Sequence, residues 1–211
     1  MGETVLVAGV GPNLGETVAR RLVAAGHQVG LVARSGDRVE SLADTLGDGA
    51  VPAAADITDG DDLGSAVGEL RAAFGGVDAV VHNANAPGGN PPAEATPERL
   101  AAVWRVRTLG LLYCLRAAPE AAAVVVSGTD YASSAAPEQV EWGSGAAATK
   151  GLARSVGEAG EVAVTYVEIG AAVAPPESTF PGAVGADRLA DRYVEWLDRD
   201  AGFHPERVAP E

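Results

Sequence analysis

Hydrophobic and polar positions follow a repeated block pattern along the whole chain. Short apolar runs rich in Val and Ala are separated by longer segments in which apolar residues recur every three or four positions. Runs of the first kind are typical of buried strands, and segments of the second kind of amphipathic helices. The pattern predicts strands at about 3–8, 28–33, 51–55, 78–82, 122–127 and 162–168. It predicts helices at about 14–25, 37–46, 61–74, 97–117, 144–159 and 186–198.

This regular alternation of strands and helices predicts the fold class. It is typical of an α/β protein whose parallel sheet is covered by helices on both faces. We therefore expect a Rossmann-type doubly wound parallel sheet of six or seven strands in a three-layer αβα arrangement. The tail at 202–208 is a candidate for the seventh strand or for a contact with another subunit. Since no linker or internal repeat divides the chain, we expect a single domain over 1–211.

A glycine-rich turn joins the first strand to the first helix. Its candidate binding residues are Gly9, Gly11, Pro12, Asn13, Leu14 and Gly15. Glycine lets the backbone approach a pyrophosphate closely, and the N-terminus of the helix offers free N–H groups and the positive end of a dipole. The turn therefore predicts a dinucleotide site. The alternative is an ordinary strand-to-helix turn that binds no nucleotide.

The end of the second strand indicates which dinucleotide is bound. An acidic residue at this point binds the ribose 2′-hydroxyl, whereas an arginine accommodates a 2′-phosphate. This chain has Arg34 followed by Ser35. The expected cofactor is therefore NADP(H) rather than NAD(H).

Charge and composition narrow the partners and the compartment. The formal net charge of −14 disfavours nucleic acid and anionic membranes as partners. This acidity either maintains solubility or reflects a halophilic-type, high-salt cytoplasm. Cys114 is the single cysteine, which excludes a disulfide within the chain and fits a reducing compartment. No apolar run is long enough to span a bilayer, and the chain opens on a strand, so we expect a cytoplasmic protein. No metal-ligand spacing occurs, so we expect no metal site.

These motifs resemble those of the short-chain dehydrogenase/reductase family over nearly the full length of the chain. The segment 9–15 is similar to the family's Thr-Gly-x-x-x-Gly-x-Gly turn, and Arg34-Ser35 to the NADP-type strand end. The segment 56–57 is similar to an Asp-Val pair that contacts adenine. The segment 83–85 falls in the family's Asn-Asn-Ala-Gly stretch. The resemblance implies that Asp56, Ile57, Asn83, Ala84, Asn85 and Lys150 contact the cofactor.

The chain also departs from the family pattern. Asn13 replaces the middle glycine of the turn, and Asn tolerates left-handed backbone angles better than most residues. Asn85 stands in place of a glycine, and Arg107 in place of the helix-four asparagine that belongs to the family's proton relay. Ala146 lies four residues before Lys150, where the family's Tyr-x-x-x-Lys motif has its general acid/base.

Three residues are candidates for a catalytic role. Lys150 is the only lysine in the chain, and a compact ammonium can reach ribose hydroxyls and lower the pKa of a neighbour; the alternative is a surface lysine placed by chance. Tyr131, just past the fifth strand, is the best replacement proton donor; the alternative is a packed loop aromatic. Ser127 is the candidate for the family serine. Trp142 and Phe180 are candidates for the wall of a substrate pocket.

The expected activity is that of an oxidoreductase acting on a small carbonyl or alcohol with an atypical acid/base. The alternative is a catalytically silent NADP(H)-binding sensor or scaffold. Loops at 83–95, 128–142 and 169–185 follow strands, so they lie at the carboxyl edge of the sheet, where ligands bind. The helix at 97–117 is apolar nearly all round, which predicts a homodimer or homotetramer formed through it and the helix at 144–159.

Overall fold

The computed structural model describes residues 2–86, 88–176, 178 and 180–210, so positions 87, 177 and 179 of the predicted loops lie outside it. Its strands are β1 Thr4–Ala8, β2 Gln28–Ala33, β3 Ala50–Ala54, β4 Ala79–His82, β5 Ala123–Thr129, β6 Ala163–Ile169, β7 Val173–Ala174, β8 Val184–Gly185 and β9 Gly202–Val208. Its α-helices are α1 Leu14–Ala24, α2 Gly36–Leu46, α3 Gly60–Phe74, α4 Pro97–Trp104, α5 Gly110–Ala117, α6 Val140–Glu158 and α7 Ala186–Leu197.

Seven of the described strands form one parallel sheet. Their order is β3-β2-β1-β4-β5-β6-β9, and β7 pairs with β8 in a separate two-stranded sheet. The order reverses between β1 and β4, so the carboxyl ends of these two strands flank a crevice of the kind that binds ligands in doubly wound sheets. The tail predicted as a possible strand is β9, which pairs in parallel with β6 at the sheet edge. The predicted Rossmann-type fold is confirmed.

Two apolar layers cover the sheet because alternate strand residues point to opposite faces. On β1, Val5 and Val7 belong to a core cluster with α1, α2 and α7. Leu6 and Ala8 belong to a second cluster with α3, α5 and α6. The three-layer arrangement therefore follows from strands that are apolar on both faces.

The region predicted as one helix over 97–117 has an interruption. A π-helical turn, Arg105–Leu109, separates α4 from α5. Such turns are rare and frequently occur at functional sites. An apolar run continuous around the helix gives no signal for this turn, so the sequence pattern predicts an unbroken helix.

Helix α6 begins at Val140 rather than at 144. The N-cap residue, Gln139, forms no side-chain hydrogen bond to the first turn, so no capping signal marks the start of the helix. The earlier start places Glu141 and Trp142 in the first turn of the helix. The buried Glu141 carboxylate accepts hydrogen bonds from the backbone N–H groups of Asn90 (2.6 Å) and Thr96 (3.1 Å), and thereby ties this turn to the loop before α4.

Within the part of the chain that is described, none of the helices has the length and apolar character needed to cross a membrane. The same residues contain no cluster of His, Cys, Asp and Glu able to hold a metal ion. Cys114 is buried in α5, where loss of solvation raises the pKa of its thiol to about 12.

Candidate functional site

Two adjoining cavities lie at the carboxyl edge of the sheet. The Arg34 cavity has a volume of about 730 Å³ and is bounded by the ends of β1, β2 and β3, the start of the loop after β4, and side chains of α4. The Arg107 cavity has a volume of about 550 Å³ and is bounded by the glycine turn, the end of β5 and the segment after β6. Gly11, Asn83 and Asn85 line both cavities, so the two spaces meet at these residues.

The predicted site residues divide between the cavities. Besides the three shared residues, Gly9, Arg34, Ser35, Asp56, Ile57 and Ala84 line the Arg34 cavity. Pro12, Asn13, Leu14, Gly15, Ser127 and Tyr131 line the Arg107 cavity. Lys150 lines neither of them. The structure therefore brings the predicted binding residues to one crevice with this single exception.

The glycine turn requires glycine at two points for different reasons. Gly9 has φ +102°, a conformation that other residues rarely adopt, and a Cβ there would lie 2.4 Å from the backbone nitrogen of Ala84. A Cβ on Gly15 would lie 2.3 Å from the Gly9 carbonyl oxygen. Gly11, in contrast, has open space where a Cβ would stand. The turn is thus closely packed on its protein side and open on its cavity side.

Asn13 precedes α1 with φ −116°, so the left-handed angle allowed for this residue is not used. Its side chain does not cap the helix. The Glu16 N–H donates to the Gly11 carbonyl, so the first-turn N–H groups left free to bind an anion are those of Leu14 and Gly15. Asn13 Nδ2 instead donates to the carbonyl oxygen of Val173 over 2.5 Å. Its buried Oδ1 has no hydrogen-bond partner among the described residues. Asn13 thus joins the glycine turn to β7.

The Arg34 cavity forms a cationic region in an acidic protein. Four arginines line it, namely Arg34, Arg38, Arg99 and Arg105. Arg38 lies 3.9 Å from a Glu16 carboxylate oxygen, and Arg99 donates to the carbonyl of Gly88. Within the described chain, neither Arg34 nor Arg105 forms an ion pair or a hydrogen bond. The exposed Arg34 guanidinium at the tip of β2 is therefore available to a phosphate.

One carboxylate, that of Asp56, is part of the lining of the same cavity. Asp56 Oδ1 accepts hydrogen bonds from the Thr58 N–H (2.9 Å) and the Thr58 hydroxyl (2.8 Å). The backbone N–H bond from Thr58 is the main cause that lowers the pKa of Asp56 below its ordinary value, so this carboxylate is ionised at neutral pH. Its position suits a hydrogen bond from an amine, such as the exocyclic amine of adenine.

The Arg107 cavity contains a connected set of three side chains. Arg107 Nη1 donates to Asn85 Oδ1 over 2.8 Å, and Trp142 Nε1 donates to the same oxygen over 3.0 Å. The Arg107 guanidinium carbon also lies 5.4 Å from the Trp142 ring centre, a cation–π distance. Asn85, Arg107 and Trp142, which we call the Asn85 triad, thus form one wall of the cavity.

Close helix packing brings Arg107 to this position. Arg107 lies in the π-helical turn and is only 3% exposed. Its stem runs beside Gly145 of α6, where a Cβ would lie 3.6 Å from Arg107 Cδ and 2.6 Å from Val103 Cγ1. Burial lowers the pKa of the Arg107 guanidinium, and the nearby Tyr166 hydroxyl opposes this effect. The group stays cationic because arginine does not lose its proton in proteins.

Hydroxyl groups at the end of β5 complete the cavity. The Ser127 hydroxyl shares a 2.8 Å hydrogen bond with the buried Tyr193 hydroxyl, and Thr129 donates to Asp130 Oδ1 over 3.2 Å. The Tyr131 ring meets the Trp142 ring edge to face, with centres 5.6 Å apart. The Tyr131 hydroxyl has no hydrogen bond to a described residue. Ser127 and Tyr131 are therefore placed to meet a ligand.

Lys150 is held away from both cavities. Its ammonium lies 2.5 Å from Glu168 Oε1 on β6 and 2.6 Å from the Ser133 hydroxyl. Burial raises the pKa of Glu168, but the bonds from Lys150 and Ser133 outweigh it and lower that pKa overall. The structure thus places Lys150 in an ion pair outside the linings of both cavities, and the cofactor contact that the resemblance implies for it stays a prediction.

The α6 residue that faces the Arg107 cavity is Trp142, one helical turn before position 146, which the motif match places at the site. Ala146 is fully buried, and its carbonyl accepts a hydrogen bond from the Tyr166 hydroxyl (3.1 Å). Trp142, four residues before Ala146, is the α6 side chain in the cavity wall. From the sequence, Trp142 is predicted only as part of a pocket wall, and Arg107 is only a departure from the family pattern. No sequence pattern indicates that Asn85 accepts hydrogen bonds from both side chains. Asn85 follows β4, Arg107 follows α4 and Trp142 lies in the first turn of α6.

Comparison with known proteins gives three kinds of similarity. The model of the family described as short chain dehydrogenase matches residues 3–179. A chlorophyll(ide) b reductase NOL of Arabidopsis thaliana is 33% identical over 120 residues, which are 54% of this chain and 34% of that protein. An NADP-dependent 3-hydroxy acid dehydrogenase YdfG of Salmonella typhi is 32% identical over 114 residues, which are 54% of this chain and 46% of that protein. The chain therefore matches less than half the length of these curated relatives.

A solved structure shows the same fold over the whole chain. The alcohol dehydrogenase of the archaeon Thermococcus sibiricus, in complex with 5-hydroxy-NADP, superposes with a TM-score of 0.90 and 21% sequence identity. The superposition covers 100% of this chain and 97% of the other.

Proposed function

Because the chain belongs to the short chain dehydrogenase family, we propose that it is an NADP(H)-dependent oxidoreductase acting on a small carbonyl or alcohol. The observation that carries this proposal is the meeting of the two cavities at Gly11, Asn83 and Asn85. A dinucleotide extended along the crevice would pass from the arginines of one cavity to the polar groups of the other. The Salmonella relative is described as an NADP-dependent dehydrogenase, and the Thermococcus structure holds 5-hydroxy-NADP.

The residues of the Arg34 cavity fit the cofactor group by group. We assign Arg34 and Ser35 to the 2′-phosphate and Asp56 and Ile57 to the adenine, and the position of all four in one cavity supports this assignment. The open side of Gly11 and the uncapped start of α1 suit the pyrophosphate. A larger residue at position 11 would place its side chain in the space that we assign to the pyrophosphate.

The Arg107 cavity would hold the substrate beside the nicotinamide, which supplies or accepts the hydride when the cofactor is bound. Tyr131 is the proposed proton donor because its hydroxyl is free of other partners in the described structure. Ser127 can donate to the substrate oxygen whenever Tyr193 donates to Ser127. Lys150 takes no part in this scheme because Glu168 and Ser133 hold its ammonium.

The direct test has two stages. Calorimetric titration with NADPH and NADH measures binding, and we expect NADPH to bind more tightly. NADPH consumption is then followed with a panel of small aldehydes, ketones and oxo acids at high enzyme concentration, and with NADP⁺ and alcohols in the reverse direction. Absence of heat with both coenzymes would contradict the whole proposal.

A matched pair of variants tests the proton donor. Tyr131→Phe should lower the rate by about 10²–10⁴-fold, the usual contribution of a positioned acid, with NADPH affinity unchanged. Tyr113→Phe, on α5 and outside both cavities, should leave the rate as it is. Equal rates for the two variants would remove Tyr131 from the mechanism.

A catalytically silent NADP(H)-binding sensor or scaffold is the second candidate. It is favoured by Trp142 at the cavity wall and by the absence of Ala146 and Lys150 from the linings of both cavities. Tight NADPH binding without turnover by the natural chain, and turnover only in Trp142→Tyr, would support it. Position 142 suits this test better than 146, since Ala146 is fully buried.

The predicted homodimer or homotetramer and the cytoplasmic location stay predictions. The oligomer is supported by exposed apolar side chains on and between α4 and α5, namely Trp104, Leu109 and Leu112. Light scattering on the purified chain measures its mass, and a monomer at all concentrations would contradict the oligomer.

A further inference from the structure

Arg107 is a buried cation without an anionic partner. It is 3% exposed, and it forms no ion pair with any residue that the structure describes. Its named neighbours are the Asn85 amide oxygen, the Trp142 ring and the Tyr166 hydroxyl, all of which are uncharged. A buried arginine or lysine is ordinarily paired. Burying a charge is costly unless an opposite charge or several hydrogen bonds offset the loss of hydration.

The neighbours of Arg107 satisfy only part of its hydrogen-bonding capacity. A guanidinium has five N–H donors in a planar fork that matches a carboxylate in a bidentate arrangement. Asn85 accepts from Nη1, and that oxygen is shared with Trp142. The side chain lines the cavity, so a ligand that enters the cavity can meet the guanidinium.

The one carboxylate in the same cavity does not neutralise Arg107. Asp130 accepts from Thr129 through Oδ1, and its Oδ2 lies 3.6 Å from the position that a Cβ on Gly170 would take. Since no Asp130–Arg107 ion pair exists in the described structure, a negatively charged ligand is favoured at Arg107 and disfavoured near Asp130. The cavity therefore favours a ligand whose negative charge lies at its Arg107 end rather than at its Asp130 end.

We propose that the Arg107 cavity binds a small substrate that carries a carboxylate, and that Arg107 is the group that binds this carboxylate. This inference rests on the proposed function, because it names the substrate class of the same site. The substrate would be a short oxo acid or hydroxy acid, since a volume of about 550 Å³ must also admit the nicotinamide end of the cofactor. The Trp142 ring would pack beside the bound acid.

The experiment measures binding without turnover. The full chain is saturated with NADP⁺ and titrated with oxamate, an unreactive small carboxylate, and with oxamide, its neutral amide counterpart. Intrinsic tryptophan fluorescence or calorimetry reports binding. We expect oxamate to bind at least ten times more tightly than oxamide, a difference of about 1.4 kcal/mol. Equal affinities would overturn the inference.

Two substitutions assign this preference to Arg107. Arg107→Gln should abolish the preference for oxamate, while Arg107→Lys should retain part of it because the positive charge remains. Arg154→Gln removes an exposed charge on α6 and should change nothing. An unchanged preference in Arg107→Gln would overturn the assignment.

Asn85→Asp provides a second test that does not depend on removing a buried side chain. The new carboxylate would lie where Oδ1 now accepts from Arg107 over 2.8 Å, and would pair with the guanidinium. We expect at least a tenfold loss of oxamate affinity and a higher melting temperature at neutral pH. Unchanged oxamate affinity in a folded Asn85→Asp chain would overturn the inference.

The outcome separates this inference from the proposed function. NADPH binding together with equal affinity for oxamate and oxamide leaves the cofactor proposal intact and removes the carboxylate site. Absence of NADPH binding, with an oxamate preference that depends on Arg107 in the coenzyme-free chain, removes the oxidoreductase proposal and keeps the anion site.

Discussion

The Arg34 cavity and the Arg107 cavity differ in how they relate to the family pattern. The first contains the start of the glycine turn (Gly9 and Gly11), the arginine at the end of β2 and the aspartate after β3, each in the place that the resemblance predicts. The second contains Asn85 and Arg107, which depart from that pattern, and both are hydrogen bonded or stacked with Trp142. A departure that looks isolated in the sequence is thus part of one connected wall. The comparison indicates that the residues matching the family's cofactor motifs are kept together in the Arg34 cavity, whereas the departures in the Arg107 cavity form one connected group.

The largest effect is expected from Gly15→Val, which changes the glycine turn where the two cavities meet. A Cβ at this position would lie 2.3 Å from the Gly9 carbonyl oxygen, so the turn must move. We expect affinity for both coenzymes to fall by about 100-fold or more, equivalent to ~2.7 kcal/mol. Calorimetry measures the affinities. Gly11→Val, which has open space in the unliganded turn, is the companion variant: it should fold normally and still lose binding, and normal binding there would show that the ligand does not approach the turn.

Arg34→Asp separates the two coenzymes. The exchange replaces attraction of a 2′-phosphate by repulsion and offers a carboxylate to a 2′-hydroxyl. The ratio of NADPH to NADH affinity should fall by about 10–100-fold, or ~1.4–2.7 kcal/mol. Competitive titration with the two coenzymes gives this ratio, and Arg154→Asp serves as the control for net charge. A ratio that stays constant would mean that Arg34 does not read the extra phosphate.

Lys150→Met tests whether Lys150 has a structural role rather than the cofactor contact that the resemblance implies. The ammonium is bonded to Glu168, whose side chain is 10% exposed, so its loss leaves a mostly buried carboxylate without its cation. We expect a decrease of about 1–3 kcal/mol in the free energy of unfolding, with coenzyme affinity unchanged. Denaturant titration and calorimetry measure the two quantities. A large loss of coenzyme affinity at unchanged stability would instead place Lys150 in the cofactor site.

The smallest effect concerns His82, which lies at the end of β4. It is buried with no hydrogen-bond partner on either ring nitrogen among the described residues, and burial, together with nearby Arg107, lowers its pKa to about 4. Its neutral form is favoured in the folded state, so its stabilising contribution is present above the ordinary pKa of about 6.5 and is lost as the pH falls towards 4.

The free energy of unfolding should therefore decrease by about 1 kcal/mol between roughly pH 7 and pH 5.5 through His82 alone. His82→Leu should reduce this slope, because leucine does not titrate. Denaturant titrations at the two pH values measure it. An identical slope in the natural chain and in His82→Leu would show that His82 is protonated equally in both states.

The sequence predicts the sheet and most of the crevice because those parts depend on local patterns. Each main strand is an apolar run close to its observed bounds, and the glycine turn follows β1 directly. Residues at the carboxyl ends of parallel strands must meet at one edge, which explains why Gly9, Arg34 and Asp56 come together. The predicted strand ends are therefore enough to bring these three residues together.

The parts that escape prediction depend on the phase of a helix. One turn of α6 decides whether position 142 or position 146 faces the cavity, and spacing within a motif does not fix that choice. The start of α6 at Val140 has no side-chain cap to announce it, and the π-helical turn that contains Arg107 interrupts an otherwise continuous apolar pattern. The partner of Lys150 lies on β6, eighteen positions away, and only the folded structure brings the two together.

The hydrogen bond from Asn13 to the Val173 carbonyl joins two segments that are 160 positions apart in the sequence. Both residues line the Arg107 cavity. The turn before α1 and the segment after β6 are therefore mechanically coupled, so that a displacement of either one acts on the other through a single amide.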